Sequence, residues 1–297
     1  MTHHHLPVHM ISSTVTAFCP GHISGYFKRI EGESVTATGS IGAGLVISEG
    51  VTATVTPADS TSVSVNRRHE SGNSVHIFDT SPPLEYVLKK IGVTASVTTI
   101  CRLPIGAGFG LSAAALLATL TAVNQCHNLG LTPHDIALLA HEAEVIHRTG
   151  LGDVAACQGG GRVMRSGPGI DAQITRTFDL PEPLYAVSFG SISTPSVLGS
   201  REQMERVAAA FPPRKPENAG DFFRFSRQFA EKSGLLTKEA GSVIQQCTDT
   251  NVPASMTMLG NGVFAYGNNA REILSASGDV YSFTVARAGA RIIGDRP

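Results

Sequence analysis

The stretch that decides the fold runs from Leu103 to Ala115 and reads Leu-Pro-Ile-Gly-Ala-Gly-Phe-Gly-Leu-Ser-Ala-Ala-Ala. Its alternating glycines lead directly into an Ala- and Leu-rich segment that extends to about Cys126, and this composition predicts a helix. Unpaired backbone N–H groups and the positive end of the helix dipole favour an anion at such a helix start. The stretch therefore predicts a loop that binds phosphate.

This loop matches neither of the common phosphate-binding templates. It lacks the Lys-Ser/Thr ending of the Walker loop, and no acidic residue follows about twenty positions later in a βαβ unit, as the dinucleotide-binding fold requires. Taken alone, the loop is also consistent with an ordinary glycine-rich turn between a strand and a helix. Other features of the sequence are needed to distinguish a phosphate-binding loop from an ordinary turn.

Composition limits the classes of protein that are possible. The 297 residues suit two domains, and 42% hydrophobic against 16% charged residues favours a compact globular chain. A net charge of −1 excludes the basic field that nucleic acid would need, and no apolar run is long enough to cross a membrane. Five scattered cysteines without a CxxC pair indicate free thiols and a cytoplasmic protein, without a disulfide framework or a zinc site.

The remaining pattern predicts an α+β protein. Short Thr-, Val- and Ile-rich stretches from Ser12 to about Ile77 indicate antiparallel strands, and Thr132 with Pro133 predicts the start of a helix that ends at His147. Pro181-Glu-Pro183 indicates a boundary between domains 11–180 and 181–297. Beyond it we expect strands at Leu184–Phe189, Met256–Ala265 and Tyr281–Arg287 and helices at Arg201–Phe211, Gly220–Lys232 and Thr237–Gln246.

Two histidine patterns are set aside. His3–His5 form a tract at the terminus, which we exclude from the functional site. His141 and His147 lie six positions apart, whereas the zinc motif His-Glu-x-x-His needs histidines four apart on one helix face. A zinc hydrolase is therefore not indicated.

The segment Pro104–Ala114 resembles the second signature of the GHMP kinase superfamily (galactokinase, homoserine kinase, mevalonate kinase and phosphomevalonate kinase), which reads P-x-G-x-G-L-G-S-S-A-A. The resemblance implies an α+β fold of two domains, one ribosomal protein S5 domain 2-like and one ferredoxin-like. It implies that Ser112 helps to hold Mg²⁺, whereas Leu111 replaces a serine. The positions implied to contact ATP are Pro104, Gly106, Ala107, Gly108, Phe109, Gly110, Leu111 and Ser112.

The same resemblance implies two catalytic carboxylates. Glu144 takes the place of the helix-borne ligand of Mg²⁺, and Asp153 takes the place of the residue that orients or deprotonates the substrate hydroxyl. Glu142 is the alternative to Glu144, because it lies two residues away and points elsewhere on the helix. Asp153 has an alternative role as a simple N-cap of the next helix.

The first superfamily signature normally carries a lysine, but this chain has Cys19-Pro-Gly-His22 at that place. Together with the segments Thr38–Gly44 and Met256–Ala265, this segment resembles the archaeal pantoate kinase branch of the superfamily. The resemblance implies ATP-dependent phosphorylation of the primary hydroxyl of pantoate on the route to coenzyme A. For the substrate carboxylate we expect Arg165 rather than Arg162, since the two face opposite sides of a strand. The other expected substrate contacts are His22, Ser40, His141 and Thr194.

Two alternatives stay open from the sequence. The first is a kinase of the same fold that acts on another small hydroxy acid or alcohol, such as mevalonate, homoserine or shikimate. The second is a non-catalytic nucleotide or metabolite sensor on that fold. The expected partner is a small molecule in every case, and the oligomeric state, with a homodimer as one candidate, stays open.

Overall fold

The computed structural model describes residues 14–69 and 71–296. The tract His3–His5 and positions 11–13 of the predicted first domain lie outside the described residues. The strands are β1 (Thr14–Ile30), β2 (Gly39–Pro57), β3 (Ser62–Arg68), β4 (Ser74–Phe78), β5 (Ala95–Cys101), β6 (Arg162–Arg165), β7 (Ile174–Thr177), β8 (Leu184–Ser191), β9 (Ala254–Met256), β10 (Gly260–Tyr266), β11 (Val280–Phe283) and β12 (Arg291–Arg296). The helices are α1 (Pro82–Lys90), α2 (Leu111–His127), α3 (Pro133–His147), α4 (Asp153–Cys157), α5 (Thr194–Gly199), α6 (Arg201–Ala210), α7 (Ala219–Ser233), α8 (Lys238–Asp249) and α9 (Ala270–Ser275).

The first sheet is built on the two long strands β1 and β2. Its order is β12-β1-β2-β5-β3-β4, with β6 paired to β2 and β7 to β6. Alternation along β2 explains its orientation, because Val51, Ala53 and Val55 are buried while the threonines between them are partly exposed. Helix α2 packs on β1 and β2 on one side and on α3 on the other, which is why it is apolar around most of its circumference.

The second sheet has the order β11-β8-β10-β9, and all its pairs are antiparallel. Helices α5 to α8 connect β8 to β9, and α9 connects β10 to β11. The unit thus follows a βαββαβ sequence. If its strands β8, β9, β10 and β11 are numbered 1 to 4 in chain order, they lie in the spatial order 4-1-3-2. This is the ferredoxin-like arrangement, so the predicted fold of the second half is confirmed.

Two predicted strands differ from the structure. The expected strand Met256–Ala265 is divided into β9 and β10 by a turn in which Leu259 has a positive φ of 61°. The expected strand Tyr281–Arg287 ends at Phe283, and the chain then returns to the first sheet, where β12 pairs with β1. Backbone pairing with a strand so far away along the chain leaves no local pattern, so this return could not be predicted. The division into two domains at residue 180 stays a prediction.

The glycine loop lies where the first sheet meets the second. A Cβ on Gly108 would lie 2.7 Å from the carbonyl oxygen of Met258, and one on Gly260 would lie 2.0 Å from the backbone of Ala107. The amide of Ile192, after β8, also donates to the carbonyl of Gly106 at 3.3 Å. Only glycine allows two backbones to approach this closely. The turn between β9 and β10 therefore fixes the position of the loop.

Replacement of Gly260 tests this contact. We expect Gly260→Ala to lower the free energy of unfolding by about 1–3 kcal/mol, because the new Cβ meets backbone that cannot turn aside. Gly241 lies within α8, and the atom nearest to a Cβ there is a flexible side-chain carbon of Leu236 at 3.6 Å, so for Gly241→Ala we expect a gain of up to about 1 kcal/mol from helix propensity. Denaturant unfolding measures the free energy of unfolding of both variants. Equal changes in the two would contradict the close contact at Gly260.

Candidate active site

The start of α2 is arranged as an anion site. Gly106, Gly108 and Gly110 all have positive φ, at 77°, 83° and 62°, which a Cβ would make unfavourable. Gly110 is the N-cap residue, no side chain caps the helix, and its first turn contains no acidic residue. The first N–H groups of α2 therefore point out of the helix with the positive end of its dipole behind them. A phosphate group fits there.

A cleft of about 640 Å³ contains this loop. Its lining includes the hydroxyls of Ser24, Ser112, Thr149 and Thr194 and the carboxylate of Asp153. It also includes apolar side chains, among them Val65, Phe78, Pro83, Leu84, Cys101, Ile105 and Leu116. A cleft lined by both kinds of side chain suits a ligand that has an apolar ring system as well as charged groups.

Beside the loop, Ser112 and Glu144 form a pair of oxygen donors. The Ser112 hydroxyl donates to the hydroxyl of Thr149 at 3.0 Å. Glu144 is only 1% exposed, and its Oε2 contacts no hydrogen-bond donor among the described residues. Burial, and then the negative charge of Asp153, raise the pKa of Glu144 well above its usual value, although the polar groups of Ser112, Thr149 and the backbone of Val154 oppose this. An unsatisfied buried carboxylate is well suited to a cation.

Glu142, the alternative to Glu144, faces the opposite side of α3. Its carboxylate accepts a hydrogen bond of 2.7 Å from the hydroxyl of Tyr86 and pairs with Lys90. The hydrogen bonds from Lys90 and Tyr86 outweigh the effect of burial and lower its pKa. Glu142 thus joins α1 to α3 and does not line the cleft.

Asp153 is the first residue of α4 and not its N-cap. Gly152 occupies the cap position, and no side chain caps the helix. The Asp153 carboxylate, 21% exposed, instead lies 2.6 Å from Nδ1 of His22 on β1. Burial raises the pKa of Asp153, but the hydrogen bond with His22 and then the charge of Arg165 outweigh it, so the pKa lies below its usual value. The capping alternative does not describe this residue.

Arg165 lies fully buried behind Asp153. Its guanidinium donates to the hydroxyl of Ser40 at 3.4 Å, and its Nε and Nη1 have no acceptor among the described residues. Burial lowers its pKa, and the charge of Asp153 opposes this. Arg162 is buried as well, but on the other face of β6, where it forms a two-point ion pair with Asp179 at 2.6 and 3.0 Å. Of the two arginines, only Arg165 has unsatisfied N–H groups near Asp153.

The structure places the expected substrate contacts differently, and Arg165 and Ser40 are buried behind the cleft and do not line it. Thr194, at the start of α5, lines the cleft. His141 does not: its Nε2 lies 2.8 Å from the carbonyl oxygen of Thr38, and the ring is fully buried. His22 is also fully buried and does not line the cleft. The contact of His141 Nε2 holds the segment before β2 against α3, while its Nδ1 is buried without a hydrogen-bond partner among the described residues.

Ser24 and Thr149 are two hydroxyl-bearing residues of the cleft that the sequence analysis did not single out. Ser24 lies two positions after His22 on β1 and lines the cleft, although His22 itself does not. Thr149 follows the end of α3 and hydrogen bonds to Ser112 across 37 positions of chain. No local signal announces that contact, because it exists only once α2 and α3 have packed together.

Comparison with known proteins agrees with this geometry. Residues 83–161, which include the glycine loop, Glu144 and Asp153, match the family model described as GHMP kinases N terminal domain. The chain is 46% identical over 283 residues to the pantoate kinase of Methanospirillum hungatei, covering 95% of this chain and 98% of that one. The chain belongs to the pantoate kinase family.

A second relative and a solved structure support this family assignment. The pantoate kinase of Thermococcus kodakarensis is 31% identical, with 84% of this chain and 87% of that one covered. A solved structure described as a phosphotransferase related to the CoA biosynthesis pathway is 26% identical and superposes with a TM-score of 0.77, covering 94% of this chain and 98% of that one. The chain is thus a kinase of the GHMP fold, and its family uses ATP. No helix in residues 14–69 and 71–296 is long and apolar enough to span a membrane.

The buried carboxylate of Glu144 leads to a prediction in which stability and activity change in opposite directions. Because the folded state raises its pKa above the ordinary 4.5, the folded state binds a proton more tightly than the unfolded state, and stability falls as the pH rises above that value. We expect Glu144→Gln to raise Tm relative to wild type at pH 8, with the difference shrinking towards pH 4. Its kcat should fall on the order of 100-fold, since a charge that assists the reaction is lost.

Glu142→Gln is the matched control, on the same helix two residues away. It removes the pair with Lys90, so its Tm should not rise at pH 8, and its kcat should stay within about twofold of wild type because surface pairs contribute little. Thermal scans at several pH values and steady-state kinetics measure both variants. A loss of kcat in Glu142→Gln with none in Glu144→Gln would reverse the assignment.

Proposed function

We propose that this protein transfers the γ-phosphoryl group of ATP to the primary hydroxyl of (R)-pantoate and forms 4-phosphopantoate for coenzyme A biosynthesis. The proposal depends on one observation: the Asp153 carboxylate lines the same cleft as the phosphate-binding loop at the start of α2. A hydroxyl held by Asp153 is therefore close to a phosphate held by the loop. The family of the chain supports the substrate.

In this reaction the hydroxyl oxygen of pantoate attacks the γ-phosphorus. The oxygen–phosphorus bond forms, the bond to the bridging oxygen of ADP breaks, and the hydroxyl proton moves to the Asp153 carboxylate or to solvent. Asp153 stays ionised at neutral pH because its pKa lies below the usual value, so it accepts the hydrogen bond of the hydroxyl and orients it. The amides at the start of α2 stabilise the charge on the transferred group.

We propose Mg²⁺ as the metal ion, held by Ser112, Glu144 and the phosphates of ATP. Mg²⁺ prefers oxygen ligands and is commonly bound by one or two carboxylates together with substrate phosphates. The donors fit, since Glu144 Oε2 is buried without a hydrogen-bond donor near it. No group of three or more His, Cys, Asp or Glu side chains in the described part of the chain could hold a metal ion, so a metal ion held by Ser112 and Glu144 would need further ligands, which the phosphates of ATP would supply. When bound, Mg²⁺ would neutralise charge on the phosphates.

We propose that the pantoate carboxylate interacts with the charge of Arg165 behind Asp153. The buried guanidinium has two nitrogens, Nε and Nη1, whose N–H groups have no acceptor among the described residues, which is costly unless an anion is nearby. Ser40 holds one side of this group, while Thr194 and Ser24 supply hydroxyls from the cleft wall. His141 stays a predicted contact, since its Nε2 binds the Thr38 carbonyl but its Nδ1 is buried without a partner among the described residues. The apolar side chains that line the cleft suit the adenine ring.

A non-catalytic sensor is the less favoured function. A sensor has no need of a buried carboxylate without a hydrogen-bond donor at Oε2, nor of a carboxylate oriented by a second side chain. Both features carry a cost in stability and gain a purpose only in phosphoryl transfer. A kinase of another small hydroxy acid stays the closer alternative, and a substrate panel separates it from the proposal.

The test measures ADP release with ATP and, in separate reactions, pantoate, mevalonate, homoserine and shikimate. We expect turnover with pantoate, and we expect Asp153→Asn to lower kcat by about 10²–10⁴-fold while the KM for ATP stays similar. Asp171→Asn is the matched control, because that carboxylate is exposed and pairs with His134 on the surface. Efficient turnover of another substrate without turnover of pantoate would overturn the substrate, and binding of ATP without any transfer would support the sensor.

A further inference from the structure

His22 contacts both the phosphate-binding loop and the residue proposed to bind the substrate hydroxyl. Its backbone amide donates to the carbonyl of Phe109 at 2.9 Å, and a Cβ on Gly110 would lie within 2.9–3.2 Å of the backbone and Cβ of His22. Its side chain reaches in the other direction, to Asp153 Oδ1 at 2.6 Å. One residue of β1 thus fixes the loop and the start of α4 relative to each other.

The proton on the imidazole can be assigned from its partners. Asp153 is ionised at neutral pH, and an ionised carboxylate only accepts hydrogen bonds, so Nδ1 of His22 carries the donated proton. Nε2 is buried and has no partner among the described residues, and a proton there would be a donor without an acceptor. A Cβ on Gly44 would lie 2.2 Å from Nε2, so only glycine leaves room for the ring edge. The ring is therefore neutral, with its proton on Nδ1.

The charges around the pair support the same state. The positively charged groups that act on His22 are Arg165 on β6 and Arg176 on β7, and both disfavour an imidazolium. Burial lowers the pKa of His22 more than Asp153 raises it. Glu144 and Cys157 are two further titratable groups that interact with Asp153. The pKa of each is raised, so both keep their protons to a higher pH than usual.

We infer that His22 is a positioning residue: its Nδ1–H holds Oδ1 of Asp153 and so directs the other carboxylate oxygen towards the substrate hydroxyl beside the phosphate-binding loop. This inference rests on the proposed function. It replaces the expected role of His22 as a substrate contact, because the ring is fully buried and does not line the cleft. Since the ring is neutral, Asp153 keeps its full negative charge as an acceptor for the hydroxyl proton. An orienting hydrogen bond of this kind fixes a side chain that would otherwise rotate.

Two substitutions of similar size separate the hydrogen bond from the volume of the ring. His22→Asn places an amide N–H where Nδ1 lies, whereas His22→Leu removes the donor. We expect His22→Leu to lower kcat on the order of 10–100-fold, the usual effect of losing an orienting partner, while His22→Asn retains most of kcat. The KM for pantoate should change by less than about twofold in both, since His22 acts through Asp153.

The outcomes that contradict the inference are distinct. An equal loss in His22→Asn and His22→Leu would show that ring shape matters and not the donor, and a raised KM for pantoate with unchanged kcat would restore a substrate contact. In the Asp153→Asn background, adding His22→Leu should change kcat by less than about twofold, because residues that act as a unit are not additive. A further large loss there would mean that His22 acts independently of Asp153.

A measurement that needs neither turnover nor pantoate tests the same hydrogen bond. In protein labelled with ¹⁵N-histidine, two-bond ¹H–¹⁵N spectra report which nitrogen of each ring carries a proton, and the signals lost in His22→Asn identify His22 among the 11 histidines. At pH 7 we expect a proton on Nδ1 and none on Nε2. A proton on Nε2 would overturn the inference even if wild-type protein phosphorylates pantoate. The expected tautomer together with no pantoate turnover would overturn only the proposed function.

Discussion

The close approach of three backbone segments at the glycine loop is the constraint on which the rest of the structure depends. Gly108 lies against the carbonyl of Met258, Gly260 against Ala107, and Gly110 against the backbone of His22. At each contact a Cβ would lie within 3 Å of backbone or overlap it, so side chains other than hydrogen are excluded. The loop is therefore fixed by the first sheet on one side and by the turn before β10 on the other. Its amides keep their direction before any phosphate binds.

Around that loop the protein buries polar atoms that have no hydrogen-bond partner among the described residues. They are Oε2 of Glu144, Nε and Nη1 of Arg165, and Nε2 of His22. Burial of such atoms without partners costs stability. The hydrophobic core that surrounds α2, with helix positions such as Leu116 and Leu120 fully buried, offsets that cost. Polar groups held ready in this way are typical of a site that completes its interactions with a charged ligand.

The role of Asp153 could not be predicted from its neighbours in the sequence, because it depends on residues that only the fold brings close. A glycine followed by an aspartate at a helix start commonly indicates an N-cap, and the sequence left that interpretation open. The structure places Gly152 in the cap position and turns the carboxylate towards His22, 131 positions earlier in the chain. The same applies to the two arginines of β6, since Arg162 and Arg165 alternate as a strand requires and their different partners come from distant segments. Local spacing predicted the faces of β6, and only the packing of other elements determined what each face contacts.

The sequence by itself determined the glycine loop before α2, the capped start of α3 at Thr132 and the order of most helices, because these depend on propensities and hydrogen bonds within a few residues. It also carried the motif from which the family could be predicted. Only the tertiary structure decided that β12 returns to β1, that Thr149 holds Ser112, and that His22 and His141 are buried behind the cleft. These facts depend on contacts between residues far apart in the chain, and their geometry exists only after the sheets and helices have packed.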